Sequence, residues 1–175
     1  MPDETPRITP LPESEWDETV AGVVSVTGPL NIFTTLGRHP DLFRSWIGFG
    51  TMLLMGGTLP ARDRELAILR AAHNNGCTYE WTHHARLARD AGLDDAEIAA
   101  LAAGLDEYPW APADRIVVAA ADELHTTRTL SQASWDALAE RFDEHRLIEL
   151  VILIGHYTML AFALNAFGVQ PEAAH

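Results

Sequence analysis

From Leu150 to Gln170 the chain carries no aspartate, glutamate, lysine or arginine. A membrane-spanning helix needs roughly 20 apolar residues, so this run is long enough to cross a bilayer. It also contains His156, Tyr157, Thr158 and Asn165, and it continues a helical pattern that starts among charged residues near Glu144. No second segment supports a membrane reading, because Trp46 to Leu59 is short and glycine-rich. The expectation is a central helix of a soluble protein, buried on all sides by its own domain and by neighbouring subunits.

That requirement organises the rest. No alternating apolar and polar pattern appears anywhere, so the fold class is all-α. With 175 residues, one domain is expected. It divides into an N-terminal arm with short helices over residues 1–39, a core over residues 40–125, and C-terminal helices over residues 126–170. Residues 1–12 hold four prolines and read as an extended arm draped on a surface or partner. Ser14 reads as the cap of a short helix reaching about Val24, and Asn31 to Leu36 as another. An apolar helix follows Asp41 and runs from Leu42 to Met55, ended by Gly56-Gly57. Pro60 suits the first turn of the next helix, with Leu66, Ile68, Leu69 and Ala72 on its buried side. Further helices are predicted over 79–90, 95–102, 113–125 and 131–142.

The formal charge of −13 argues against nucleic acid and anionic membranes as partners. One cysteine excludes an intrachain disulfide and fits a reducing cytoplasm. No basic segment followed by an apolar run opens the chain, so no signal peptide is expected.

The chemistry concentrates between Glu65 and His84. This segment holds the cysteine, two glutamates, three histidines, a tyrosine and a tryptophan, broken by Asn74-Asn75-Gly76. Gly76 suits a left-handed helix end, and Thr78 a cap for the helix that starts near Tyr79. On that helix Glu80 and His84 are four residues apart and share a face. Cys77 precedes Glu80 by one turn, where the helix N-terminus lowers a thiol pKa or stabilises an anion. Glu65 reaches this group only if its helix packs antiparallel to the next. Cys77 reads as a nucleophile or sulfenic-acid former, or else as a small buried apolar residue. Glu80 reads as a general acid or base whose pKa burial would raise, or else as an ion-pair partner of Arg62, Arg70 or Arg86. His84 is the proton-transfer partner, with His83 its rival. Adjacent helical residues point about 100° apart, so one pocket is not expected to receive both. Tyr79 and Trp81 are candidate pocket residues, as are His156 and Tyr157 on the last helix; the alternative for each is plain core. Glu80 and His83 have a Glu-x-x-His spacing used in di-iron bundles, but no second copy exists, so no metal is expected.

The pattern Glu65-x11-Cys77-x2-Glu80-x3-His84 resembles the alkylhydroperoxidase D/carboxymuconolactone decarboxylase superfamily. Tyr79-Glu80-Trp81, the later Ala91-Gly92-Leu93 and the opening Pro6 to Pro12 are similar to its decarboxylase-like branch. The likeness runs from about Pro40 to Ala121 and extends to Glu149-Leu150. It implies an alkylhydroperoxidase D-like helical bundle assembled as a trimer or hexamer. In the peroxidase branch the positions of Cys77 and Glu80 are both cysteines that cycle through a disulfide, while those of Glu65 and His84 form a proton relay. Glu80 departs from that pattern, so the dithiol mechanism does not carry over. The resemblance therefore implies a decarboxylase-like lyase acting on a small lactone or oxygenated carboxylic acid without a cofactor. Glu80 and His84 would move protons, and the amides beside Cys77 would hold an oxyanion. The alternatives are a peroxidase using Cys77 alone, and a non-catalytic ligand-binding protein.

Both halves also share a pattern, Glu65-Leu66-Ala67-Ile68-Leu69 and Glu149-Leu150-Val151-Ile152-Leu153, each followed by a histidine, His73 and His156. Related packing positions, or simply two amphipathic core helices, account for it. The expected homo-oligomer is checked by sedimentation at micromolar concentration, which should give a trimer or hexamer. A stable, folded monomer would overturn it.

Overall fold

The computed structural model describes residues 5–172, and among them every regular element is helical. The order is α1 (Glu18–Thr27), α2 (Asn31–Leu36), α3 (Pro40–Thr51), α4 (Ala61–Asn74), α5 (Thr78–Asp90), α6 (Asp95–Ala100), α7 (Pro112–Thr127), α8 (Gln132–Ala139) and α9 (Glu144–Phe167). A π-helical turn over Met52–Gly56 continues α3.

Helix α4 is the centre, packed between α5, α7 and α9. Its residues from Glu65 to Ala72 are all buried, polar ones included. A buried charge needs a partner, and α4 finds them on different elements. The Asp63 carboxylate accepts two bonds from Arg141 Nη2, at 2.7 and 2.9 Å. Arg70 donates to the Asp122 carboxylate of α7 and to the carbonyls of Leu101 and Ala103. These pairs fix the rotation of α4 about its axis as well as its neighbours.

The reversal into α5 is short. Gly76 takes φ +59°, and Cys77 N donates to Ala72 O at 2.9 Å. Helices α4 and α5 therefore run antiparallel, as the placement of Glu65 requires. Cys77, not Thr78, occupies the N-cap position, and no side chain caps this helix. The Thr78 hydroxyl is displaced from a capping role because the tight Gly76 reversal starts the helix one residue earlier.

One other expectation is corrected. Ser14 caps nothing: Glu13–Glu15 is a single 3₁₀ turn, and α1 starts at Glu18, capped by Asp17 accepting from Val20 N at 2.8 Å. The last helix is covered on one side by its own subunit. Leu150, Leu153, Tyr157, Leu160 and Leu164 face the interior, but Ile148, Ile152, Met159 and Phe162 are 65, 45, 51 and 62% exposed. They recur four, seven and three residues apart, one stripe along the helix, with the exposed Phe49 and Met52 beside its first turns. The N-terminal arm lies on its own chain, where the amides of Arg7 and Ile8 donate to Phe167 O at the end of α9.

The paired Glu-Leu-x-Ile-Leu segments lie on α4 and α9, which pack together, and both glutamates are buried. Their uses differ. Glu149 ties down the loop that enters α4: its Oε2 accepts from Thr58 N at 2.6 Å and Thr58 Oγ1 at 2.9 Å, and its Oε1 from Leu59 N at 3.2 Å. The carboxylate comes so close to Gly57 that a Cβ there would overlap it. Gly57→Ala is therefore expected to lower unfolding stability by about 1–3 kcal/mol, as overpacking does. Urea denaturation checks this, with Gly22→Ala, where a Cβ meets nothing, as the comparison.

Candidate active site

A cavity of about 430 Å³ opens between α1, α3, α5 and α9. Its walls are chiefly apolar, from Val23 and Val26 on α1, Trp46 and Ile47 on α3, and Leu160 on α9. Along one side α5 presents Tyr79, Glu80, His83, His84 and Arg86, and α9 adds His156 and Tyr157. Six of the sequence-derived candidates thus meet around one space.

His84 is anchored from behind. Its Nδ1 lies 2.7 Å from Glu65 Oε2, and Glu65 is fully buried, its Oε1 accepting from Arg64 Nε at 3.1 Å. A carboxylate on one imidazole nitrogen sets ring orientation and holds a proton there. Nε2 is then the nitrogen left for chemistry. The Tyr157 ring meets the His84 ring edge-on at 5.0 Å and 90°.

Glu80 is 2% exposed, and neither carboxylate oxygen has a hydrogen-bond partner among the described residues. The arginines that would have paired with it are engaged elsewhere: Arg62 with Glu97 and Asp114, Arg70 with Asp122, Arg86 with Asp90. Burial pushes the Glu80 carboxyl from 4.5 up to about 8. It is a neutral acid, able to donate, across much of the physiological range.

Cys77 overturns one expectation. Its thiol is buried against Glu80 and does not line the cavity. Burial, reinforced by the nearby Glu80 charge, pushes the thiol up to about 12, although the amides of Tyr79 and Glu80 pull the other way. Desolvation outweighs the helix N-terminus. The amides expected to hold a substrate oxyanion stand beside this buried sulfur, which is not among the cavity walls.

Two further corrections concern α5. His83 and His84 both line the cavity, because the cavity is broad enough to wrap two faces of the helix. Trp81 does not line it; it packs on the core and meets His73 edge-on at 6.3 Å. On α9, His156 is a wall residue. It stacks on Trp46 at 5.9 Å and 12°, and its Nδ1 has no partner among the described residues. Burial lowers its pKa, favouring the uncharged ring. Sequence reasoning missed Trp46, Val23 and Val26 as walls, and missed Glu172, which lies 2.6 Å from His83 Nε2. All come from segments distant in sequence from the Glu65–His84 cluster, and no local spacing marks them. Among the described residues no group of three or more His, Cys, Asp or Glu is disposed to hold a metal ion.

The raised Glu80 pKa makes stability depend on pH. The folded state keeps this proton, so its contribution is full below about 4.5 and is lost as pH rises through about 8. The melting temperature of the native protein should fall relative to that of Glu80→Gln as pH is raised from about 5 to about 8.5. A constant difference across this range would show that the carboxyl is not held neutral by burial.

Comparison with known proteins places this arrangement. Residues 40–123 match the Carboxymuconolactone decarboxylase family. No curated protein is matched at a significant level. Among solved structures, the alkylhydroperoxidase AhpD core, an uncharacterized peroxidase-related protein from Ralstonia eutropha JMP134, superposes with a TM-score of 0.82 at 20% identity, over 94% of this chain and 92% of that one. A peroxidase-related protein from Silicibacter sp. TM1040 gives 0.78 at 16% identity, over 96% and 90%. A cysteine-to-alanine form of the debrominase Bmp8, in complex with 2,3,4-tribromopyrrole, gives 0.78 at 22% identity, over 95% and 91%. At such identities these structures share the fold. The matched stretch, residues 40–123, carries Glu65, Cys77, Glu80 and His84, and it is this segment, on an all-helical fold shared with AhpD-like proteins, that is of the carboxymuconolactone decarboxylase family.

Proposed function

We propose that the protein is a carboxy-lyase-like enzyme that acts on a small, largely apolar lactone or oxygenated carboxylic acid by general acid–base catalysis. One observation carries the reading. Glu80 is a buried carboxyl with no ion-pair partner among the described residues, held neutral near physiological pH, one helical turn from a histidine fixed by Glu65. A purely structural carboxyl in this position would be paired, as Asp63 and Glu149 are.

In such a reaction the bond between the substrate carboxylate carbon and its neighbouring carbon breaks, and CO₂ departs. The bonding electrons pass into an adjacent carbonyl as an enolate. Glu80 donates its proton to the enolate carbon and becomes a carboxylate, and His84 returns a proton to it from solvent. The apolar walls favour neutral CO₂ over the substrate carboxylate. A cavity of about 430 Å³ suits a ring-sized substrate, and the debrominase of the same fold was crystallised with a small flat ring, tribromopyrrole.

The contact between Cys77 and Glu80 supports a second reading. An ionised Glu80 would take the thiol proton, the thiolate would attack a hydroperoxide and break its O–O bond to form a sulfenic acid, and Glu80 would return the proton to the departing alkoxide, which leaves as an alcohol. One external thiol would form a mixed disulfide with Cys77 and release water, and a second would displace the Cys77 thiol, leaving the disulfide of the external thiols. The buried, poorly acidic thiol counts against this. The exposed stripe on α9 is the face that the homo-oligomer would cover.

The two readings separate experimentally. For the lyase, release of CO₂ from carboxylated lactones should fall about 10²- to 10⁴-fold in Glu80→Gln and in His84→Ala, and the double variant should lose little more than the worse single one. Cys77→Ser should stay close to the native rate. Near-native rates in both Glu80→Gln and His84→Ala would remove the site from the mechanism. Rapid hydroperoxide consumption that disappears in Cys77→Ser would establish the second reading.

A further inference from the structure

Each of the two adjacent histidines on α5 meets a glutamate, through opposite ring nitrogens. His84 Nδ1 faces Glu65 at 2.7 Å, whereas His83 Nε2 faces Glu172 Oε2 at 2.6 Å. Glu172 belongs to the tail after α9, which Gly168 turns in the left-handed conformation at φ +68°. The tail is fastened by several bonds. Glu172 Oε1 accepts from the Asn31 backbone N–H and, at 2.9 Å, from the Tyr79 hydroxyl. Asn31 Nδ2 donates to Gln170 O at 2.9 Å.

Burial alone would push the Glu172 carboxyl up. The Asn31 N–H, the Tyr79 hydroxyl and the nearby His83 outweigh it and hold the carboxyl below the usual range, so it is ionised. The contact with His83 lies off the ring N–H direction, so it is a close approach of the carboxylate to the ring edge and not a directed hydrogen bond. Two bare acceptors 2.6 Å apart repel, so the approach favours the tautomer with a hydrogen on Nε2. The Tyr79 ring lies over that of His83 at 4.5 Å and 34°, and the same carboxylate holds its hydroxyl. The His83 ring is thus restrained on one edge and one face. Both Tyr79 and His83 line the cavity, and Glu172 stands behind them.

We propose that Glu172 is a positioning residue of this cavity: it keeps the His83 proton on Nε2 and so presents Nδ1 as the acceptor for a hydroxyl or N–H group of the substrate. The inference rests on reading the cavity as the active site. It narrows the substrate class to ring-sized acids or lactones that carry a hydrogen-bond donor away from the reacting carbon. Glu80 and His84 serve the reacting end, and His83 selects.

Nitrogen NMR of ¹⁵N-histidine-labelled full-length protein, with His83 assigned by His83→Asn, reads the tautomer directly. On the alkaline side of the ring's titration, native His83 should be in the Nε2–H form, and Glu172→Ala should shift it to a mixture. Glu172→Ala also frees the tail, so Tyr79→Phe is measured beside it. That variant removes one tie of the tail but leaves the carboxylate on His83, and should keep the Nε2–H form. On whichever substrate loses turnover in Glu80→Gln, Glu172→Ala should raise KM about tenfold and change kcat less than about threefold, as loss of a binding contact does. An unchanged tautomer in Glu172→Ala, or a mixture in the native protein, would overturn the proposal. Persistent turnover in Glu80→Gln and His84→Ala would instead overturn the reading of the site, whatever the tautomer of His83.

Discussion

A helix buried along nearly its whole length, yet carrying charges, constrains everything else in this structure. Helix α4 contributes Asp63, Glu65 and Arg70 to the interior. Each is costly there without a partner, and each partner comes from a different place: Arg141 after α8, His84 on α5, Asp122 on α7. Rotating or sliding α4 by one residue would strand all three at once. The pairs thus select one register for the bundle, and in doing so fix where His84 stands relative to Glu65.

Against that background Glu80 is the exception. The surrounding carboxylates have been given guanidinium, imidazole or amide partners, while neither of its oxygens has a hydrogen-bond partner among the described residues. The stability lost by burying an unpaired acid is reduced by keeping it protonated. A neutral acid beside an oriented imidazole is what proton transfer at neutral pH requires. Cys77 shows the same force acting to the opposite end. Helix amides alone would make its thiol a better nucleophile, but exclusion of water outweighs them, and the sulfur is a packed atom next to the acid.

The cavity is assembled from helices that have little to do with one another in sequence. Trp46 on α3 stacks on His156 of α9, and α1 closes the outer side with Val23 and Val26. Because the space curves around α5, the 100° between His83 and His84 does not separate them; it lets one helix address two parts of a ligand. The two glutamates behind them, Glu65 from α4 and Glu172 from the tail, approach opposite nitrogens.

Much of this was legible in the chain itself. Helical periodicity without strand alternation settles the all-α class. The spacing from Glu65 through Cys77 and Glu80 to His84, with a glycine able to reverse the chain at position 76, identifies the family and its Glu65–His84 pair. These are local signals, set by backbone preference and by side chains one helical turn apart. Tertiary structure decided what depends on water and on distant neighbours. It made Cys77 a poor acid and Glu80 a neutral one, because desolvation is a property of the packed interior. It brought Trp46 and Val23 to the cavity, set Glu172 behind His83 and took Trp81 away, since no spacing along a helix reports which helices pack against it. It also left the stripe of Ile148, Ile152, Met159 and Phe162 uncovered. A charge-free run says only that a helix must be surrounded, and one subunit of this size surrounds half of it.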